Sequence, residues 1–259
     1  MRMRATLGVV TGALALSALA VPAAQADEVH GDTAISNVVV NGGKPVVISA
    51  TGTKTFNVTF TVTDNSGVDY AEAILYHGAD IDSSDAGALA NSSDGRATCT
   101  AVSATKSNCK ASYTLDAGID VLNKHAGTWR TWAIATGDDA DYAIKENAKS
   151  FFVQRLSKLT VNASPEPVRK GKTITVTGKL TRANWDAEKY SGYSGQSVKL
   201  QFRKKGSSTY TTVKTIKSTS TGGLSTTVTA SADGYYRYSF AGTSTTPAVN
   251  ATGDYIDVQ

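Results

Sequence analysis

Three acidic clusters carry most of the chemistry that this 259-residue chain could attempt. Asp80, Asp82 and Asp85 stand in HGADIDSSDAG, Asp138, Asp139 and Asp141 in TGDDADY, and Asp64 and Asp69 in TDNSGVDY. Clustered carboxylate oxygens are what a hard cation such as calcium requires. None of the three follows the EF-hand loop. In the middle cluster the sixth position is Asp85, where glycine is needed, and the twelfth is Asn91, where a glutamate belongs. Asp and Asn in such runs also make turns by bonding their own backbone. Both readings, calcium site and turn, stay open at this point.

A second feature is the aromatic stretch RANWDAEKYSGYSG, with Trp185, Tyr190 and Tyr193 beside Arg182 and Lys189. Read as a long exposed loop, it offers rings to stack on sugars and cations to attract an anionic cell-wall or other extracellular polymer. The competing reading has the same rings folded over the open end of a β-sandwich. Trp132, beside Arg130 and out of phase with Trp129, is a lesser candidate of the same kind.

Catalysis has little equipment. The histidines are His30, His77 and His125, all in the first half. Gly192-Tyr193-Ser194-Gly195 approaches a nucleophile elbow but lacks the final glycine. No H-E-x-x-H metal motif and no phosphate-cradling glycine loop occurs. Asp186 and Glu188 could act as a glycosidase pair, yet surface loops commonly carry such residues. The expectation is a non-enzyme. Nucleic acid is not an expected partner either, because the basic residues are scattered and no recognition motif appears.

The elements that must position these residues are strands. In FNVTFTVT, Phe56, Val58, Phe60 and Val62 alternate with Asn57, Thr59, Thr61 and Thr63, the period-2 pattern of a half-buried antiparallel strand. TITVTGKL, SVKLQFR, LSTTVTA and the terminal YIDV repeat it at short intervals. Such spacing predicts an all-β fold of two tandem immunoglobulin-like antiparallel sandwiches, residues 27–155 and 156–259. Asp233-Gly234-x-Tyr236-x-Tyr238 suggests a tyrosine corner, whose phenol hydroxyl bonds back to the backbone and pins the turn, with Tyr236, Tyr238 and Phe240 facing inward and Tyr235, Arg237 and Ser239 outward. Gly127-x-Trp129 repeats the idea in the first half. Pro165 and Pro167 suit an edge strand that switches sheets. A helical turn is expected within LDAGIDVLNKH.

Residues 1–26 read as a secretory signal peptide: Arg2 and Arg4, an apolar run from Leu7 to Val21, and Ala24-Gln25-Ala26 before Asp27-Glu28. The product is expected to be exported and extracellular, with no membrane insertion of the mature chain. Cys99 and Cys109 are the only cysteines and read as a disulfide in an oxidising compartment. Charge divides unevenly: residues 27–155 hold ten basic and sixteen acidic side chains, a net −6, and residues 156–259 hold fourteen and six, a net +8. Opposite halves of this kind suggest mutual attraction, or an anionic partner for the basic half, against the plainer reading of ordinary drift in solvated surface residues.

The stretches ASPEPVRKGKTITVTGKLTRANW, YSGYSGQSVKLQFRKK and DGYYRYSFAGTSTTP resemble the immunoglobulin-like repeats of secreted actinobacterial proteins. FTVTDNSG, the Cys99 and Cys109 pair and AGTWRTWAIA resemble a more divergent sandwich that precedes such repeats. The resemblance implies a spacer or binding module in place of a catalyst. It also brings a calcium-binding label, which some secreted relatives carry.

Overall fold

The computed structural model describes residues 27–259, so the signal-peptide reading lies outside the described residues. The alternation seen in the sequence becomes strands throughout. Phe56, Val58, Phe60 and Val62 are buried along Thr53–Thr63, while Asn57 and Thr59 face solvent. That strand sits in a sheet ordered Ala34–Val40, Thr53–Thr63, Lys106–Asp116 and Thr98–Ser103. Facing it is a sheet ordered Glu28–His30, Tyr142–Arg155, Gly127–Gly137, Val68–His77 and Ala86–Ala88. Val46–Ile48 adds in parallel to the far end of Tyr142–Arg155.

Residues 157–256 repeat the plan. Thr173–Asn184 pairs with Gly223–Thr229 in one sheet, and Ser197–Lys204 pairs with Gly234–Phe240 in the other. In both sandwiches the second long strand crosses to the opposite sheet and a later one returns to pair with the first, the immunoglobulin-like order. Asn162–Ser164 pairs with Thr173–Asn184, and after Pro165 and Pro167 the chain bridges in parallel to the other sheet, Val168 to Val258. Proline has no ladder donor, so the switch falls where none is needed.

Each core is closed by a tyrosine that reaches across it. Tyr113 donates its hydroxyl to the Ala73 carbonyl at 2.6 Å, and Tyr238 donates to the Val176 carbonyl at 2.8 Å, each acceptor lying on the facing sheet. Burial pushes the Tyr238 hydroxyl up to about 12 and Tyr113 further still, so both remain donors. Gly178 makes room for the second: a Cβ there would lie 2.8 Å from the Tyr238 ring. This corrects the expected tyrosine corner. Tyr236 is buried, and the Tyr238 hydroxyl crosses the core to the facing sheet and does not bond back to its own turn, which is held instead by Asp233 accepting from the Val258 N–H at 2.9 Å.

Cys99 and Cys109 are bonded, face to face on the edge hairpin of the first sandwich. The helical turn expected in LDAGIDVLNKH is a tight turn followed by a short 3-10 segment, Asn123–His125. Val121 is buried and Ile119 exposed, because the turn lies on the end of the sandwich and has only one side to bury.

Tyr113→Phe and Tyr238→Phe each remove the partner of a buried carbonyl. Urea unfolding should show each variant losing about 1–3 kcal/mol, and equal stability to the wild type would show that the cross-core bonds do not hold the sheets together.

Candidate functional site

The aromatic stretch of the second sandwich is a β-hairpin, Thr173–Asn184 with Lys189–Gly192, and its tip carries Trp185. The expectation of an exposed ligand loop fails at that residue. Trp185 is 0% exposed and belongs, with Ala183, to the apolar core of the first sandwich. Its indole N–H donates to the Ser49 carbonyl at 2.8 Å. An apolar ring this large is driven into the nearest core, and its one polar atom finds a buried acceptor there. Tyr190 packs half-buried against the same core under the Lys158 ammonium, 3.8 Å from its ring centre. Tyr193 turns the other way, into the second core, edge-on to Phe240, with the Arg182 guanidinium 3.9 Å over its ring centre. The four loop candidates therefore divide between two cores.

The hairpin tip is gripped by Asn123, whose side chain uses all its donors and its acceptor. Its amide donates to Asn184 Oδ1 at 2.6 Å and Asp186 Oδ2 at 2.7 Å, and its oxygen accepts from the Trp185 N–H at 3.0 Å. The backbone N–H of Asn123 reaches Asp186 Oδ1 at 2.9 Å. Asp186, considered above as half of a glycosidase pair, is thus a structural acceptor. Around the tip, Leu156 N–H donates to the Ile48 carbonyl and Ala183 N–H to the Leu156 carbonyl. Arg155 is buried, with Nε 2.6 Å from the Ala183 carbonyl; burial, with the Arg182 charge nearby, pulls its guanidinium down to about 10. Arg155 and Asn123 were not singled out by sequence, since neither belongs to a motif.

The eight aspartates of the three acidic clusters do not form one site. Asp80, Asp82 and Asp85 follow the His77 end of Val68–His77, and the loop with Asp138, Asp139 and Asp141 leaves the strand paired at its Val68 end. Nine residue steps of ~3.3 Å separate those ends by about 30 Å. Asp80 caps a turn through the Ser83 N–H, and Asp85 accepts from His77 Nδ1 at 2.6 Å and the Lys124 ammonium at 3.0 Å. Those bonds hold the Asp85 carboxyl at about 2.

At the other end Asp64 and Asp141, from two of the three clusters, converge with Asp32. Asp32, Asp64 and Asp141 each present an oxygen within 4.8 Å of the others. Asp32 was invisible as a ligand in the sequence, because strand pairing alone brings Gly31-Asp32 beside Asp141. Asp64 is buried; burial raises its carboxyl, but bonds from the Ser66 hydroxyl and N–H and from Thr33, at 2.5–2.8 Å, outweigh that and leave it lowered. Asp32 accepts twice from Asn65, and Asp141 accepts from the Asp32 N–H. Asp139 caps the same loop through the Asp141 N–H, and Asp138 lies over Gly67.

His125 is buried, its Nδ1 accepting the Leu122 N–H at 3.0 Å, so the neutral ring carries its proton on Nε2. Nε2 stands 3.7 Å from Asp85 Oδ2, too far for a hydrogen bond. His30 lies beside Asp141. Among the described residues, no histidine has a hydrogen-bonded serine, threonine or cysteine to activate. Trp132 donates to Glu146 on the outer sheet face.

No protein-family model matches the chain, and no curated protein matches it in sequence. Among solved structures, the D00-D0 domain of intimin is similar over 86% of this chain and 99% of that one, at 13% identity and TM-score 0.27. The D0-D1 domain of intimin covers 86% and 98%, at 17% identity and TM-score 0.27. The titin domains Z1Z2 in complex with telethonin cover 91% and 97%, at 12% identity and TM-score 0.23. At such scores these likenesses carry neither partner nor activity to this chain.

Burial disfavours the charged form of His125 and lowers its pKa. A depressed histidine contributes stability that is present above its unfolded value of ~6.5 and is lost as pH falls through the folded value. The melting temperature should therefore fall between pH 7 and pH 5, and His125→Gln should flatten that slope. An unchanged slope in the variant would show that another group sets the pH dependence.

Proposed function

We propose that this chain is an exported, non-catalytic module of two domains, residues 27–155 and 156–259, locked into one rigid body that presents extracellular binding surface. The observation that carries this reading is the burial of Trp185 in the core of the first sandwich. A hairpin free to bind ligand would keep its largest ring in solvent, whereas this one uses it as a plug. The hydrogen bonds of Asn123, Arg155 and Leu156 around the plug support the same reading. The disulfide on the edge hairpin, and the lack of any helix among the described residues long and apolar enough to cross a membrane, are compatible with export. The non-catalytic part is supported by the histidines having no hydrogen-bonded nucleophile among the described residues and by Asp186 being committed to Asn123.

Small-angle scattering of the mature chain tests it. Trp185→Ala should cost about 3–5 kcal/mol and broaden the distribution of interatomic distances, while circular dichroism still reports folded sandwiches. A distribution identical to that of the wild type would contradict the lock.

Calcium binding is the second reading, favoured by the three oxygens of Asp32, Asp64 and Asp141 within 4.8 Å of one another. Their all-oxygen donors suit a hard cation. Millimolar calcium should then raise the melting temperature, and Asp64→Asn should abolish the rise. No rise in the wild type leaves these carboxylates as clamps on their own loops.

A further inference from the structure

The outer face of the second sandwich carries a stack of side chains that neither core uses. Along Ser197–Lys204 the residues Val198, Leu200 and Phe202 point inward, so Arg203 faces out; along Gly234–Phe240, Tyr235 and Arg237 do the same. Register sets Arg203 opposite Tyr235, and Tyr235 opposite Tyr255. Tyr210 enters just before Thr211, which pairs with Phe202. The contacts run continuously. The Arg237 guanidinium lies 3.8 Å over the Tyr210 ring centre, Arg203 lies 5.3 Å from that ring and 4.1 Å over Tyr235, and Tyr235 meets Tyr255 at 5.2 Å. Lys205 ends the stack, 5.5 Å from the Tyr255 ring centre. Gly253 leaves space for it, since a Cβ there would fall 2.2 Å from the Tyr210 hydroxyl.

Charge distinguishes this face from ordinary surface packing. Lys205 is balanced by Asp233 at 3.4 Å. Arg203 donates to the Ser207 carbonyl and Arg237 to Gln201 Oε1, both neutral oxygens, and neither has a carboxylate within 4.0 Å among the described residues. Two half-buried guanidinium planes are therefore held rigid by tyrosine faces, with further N–H donors and uncompensated charge. They sit in the half of the chain with net charge +8. The junction lies at the Phe240 end of the strand, five residue steps or about 16 Å from Tyr235, so the first sandwich leaves the face uncovered. From Tyr210 to Tyr255 it crosses three interstrand steps, about 14 Å, the length of a few sugar units.

We propose that this face binds an acidic polysaccharide, with acid groups on Arg203 and Arg237 and sugar rings packed against the solvent side of the tyrosine–arginine stack formed by Tyr210, Tyr235 and Tyr255. The inference deepens the module reading above and rests on it for the extracellular setting. Rings alone would serve a neutral glycan, and charge alone any polyanion; alternation of the two specifies a sugar chain bearing acid groups.

Affinity electrophoresis of the mature chain tests this with polygalacturonate (carboxylate), dextran sulfate (sulfate), neutral dextran and polyglutamate in the gel. Retardation by one or both acidic polysaccharides is expected, the stronger identifying the acid group, with less by polyglutamate and none by neutral dextran. Arg203→Gln with Arg237→Gln should weaken it at least tenfold. Lys170→Gln with Lys172→Gln, which removes the same charge from exposed positions elsewhere, should weaken it less than threefold. Circular dichroism confirms that each variant is folded. Equal loss in both double variants, equal retardation by polyglutamate, or no retardation by either acidic polysaccharide would overturn the assignment. Any of these, with scattering unchanged, would leave the locked-pair reading standing.

Discussion

A single indole organises the junction on which the molecule depends. Trp185 is supplied by the second sandwich and buried in the first, so the apolar core of residues 28–155 is complete only when the later half of the chain has delivered its hairpin. Removing roughly 200 Å² of aromatic surface from water favours the docked state by about 5 kcal/mol. Much of that would be lost were the polar tip left unpaired. Asn123 prevents this by satisfying Asn184, Trp185 and Asp186 together. The opposite charges of the two halves act in the same direction at longer range.

The two sandwiches solve one packing problem in one way. Each sends a tyrosine hydroxyl across the core to a carbonyl of the facing sheet, and each ties its entering segment in parallel to its closing strand. They differ in what seals them. The first has its edge hairpin bonded through Cys99 and Cys109 and borrows Trp185. The second fills its core with Tyr193, Tyr236, Tyr238 and Phe240 and leaves arginines and tyrosines stacked outside.

The strands were legible because alternation is local: Phe56 through Val62, Ile174 with Val176, and Val198 with Leu200 each declare a buried face within eight residues. Trp129 and the inward set of Tyr236, Tyr238 and Phe240 were legible for the same reason. The destination of Trp185 was not. A tryptophan between Asn184 and Asp186 looks alike whether it meets a sugar or a neighbouring core, and only docking distinguishes them. Asp32 joining Asp64 and Asp141 depends on chain segments more than 30 residues apart. The outward phase of Tyr235 and Arg237 was readable, but their stacking on Tyr210 and Arg203 follows from cross-strand register, which no single strand encodes.

If the shared core couples the two halves, neither can melt while the other remains intact. Differential scanning calorimetry of the mature chain measures this directly. A shared core gives one transition whose calorimetric and van't Hoff enthalpies agree. Two separable transitions, with the first sandwich unfolding at its own temperature, would contradict it.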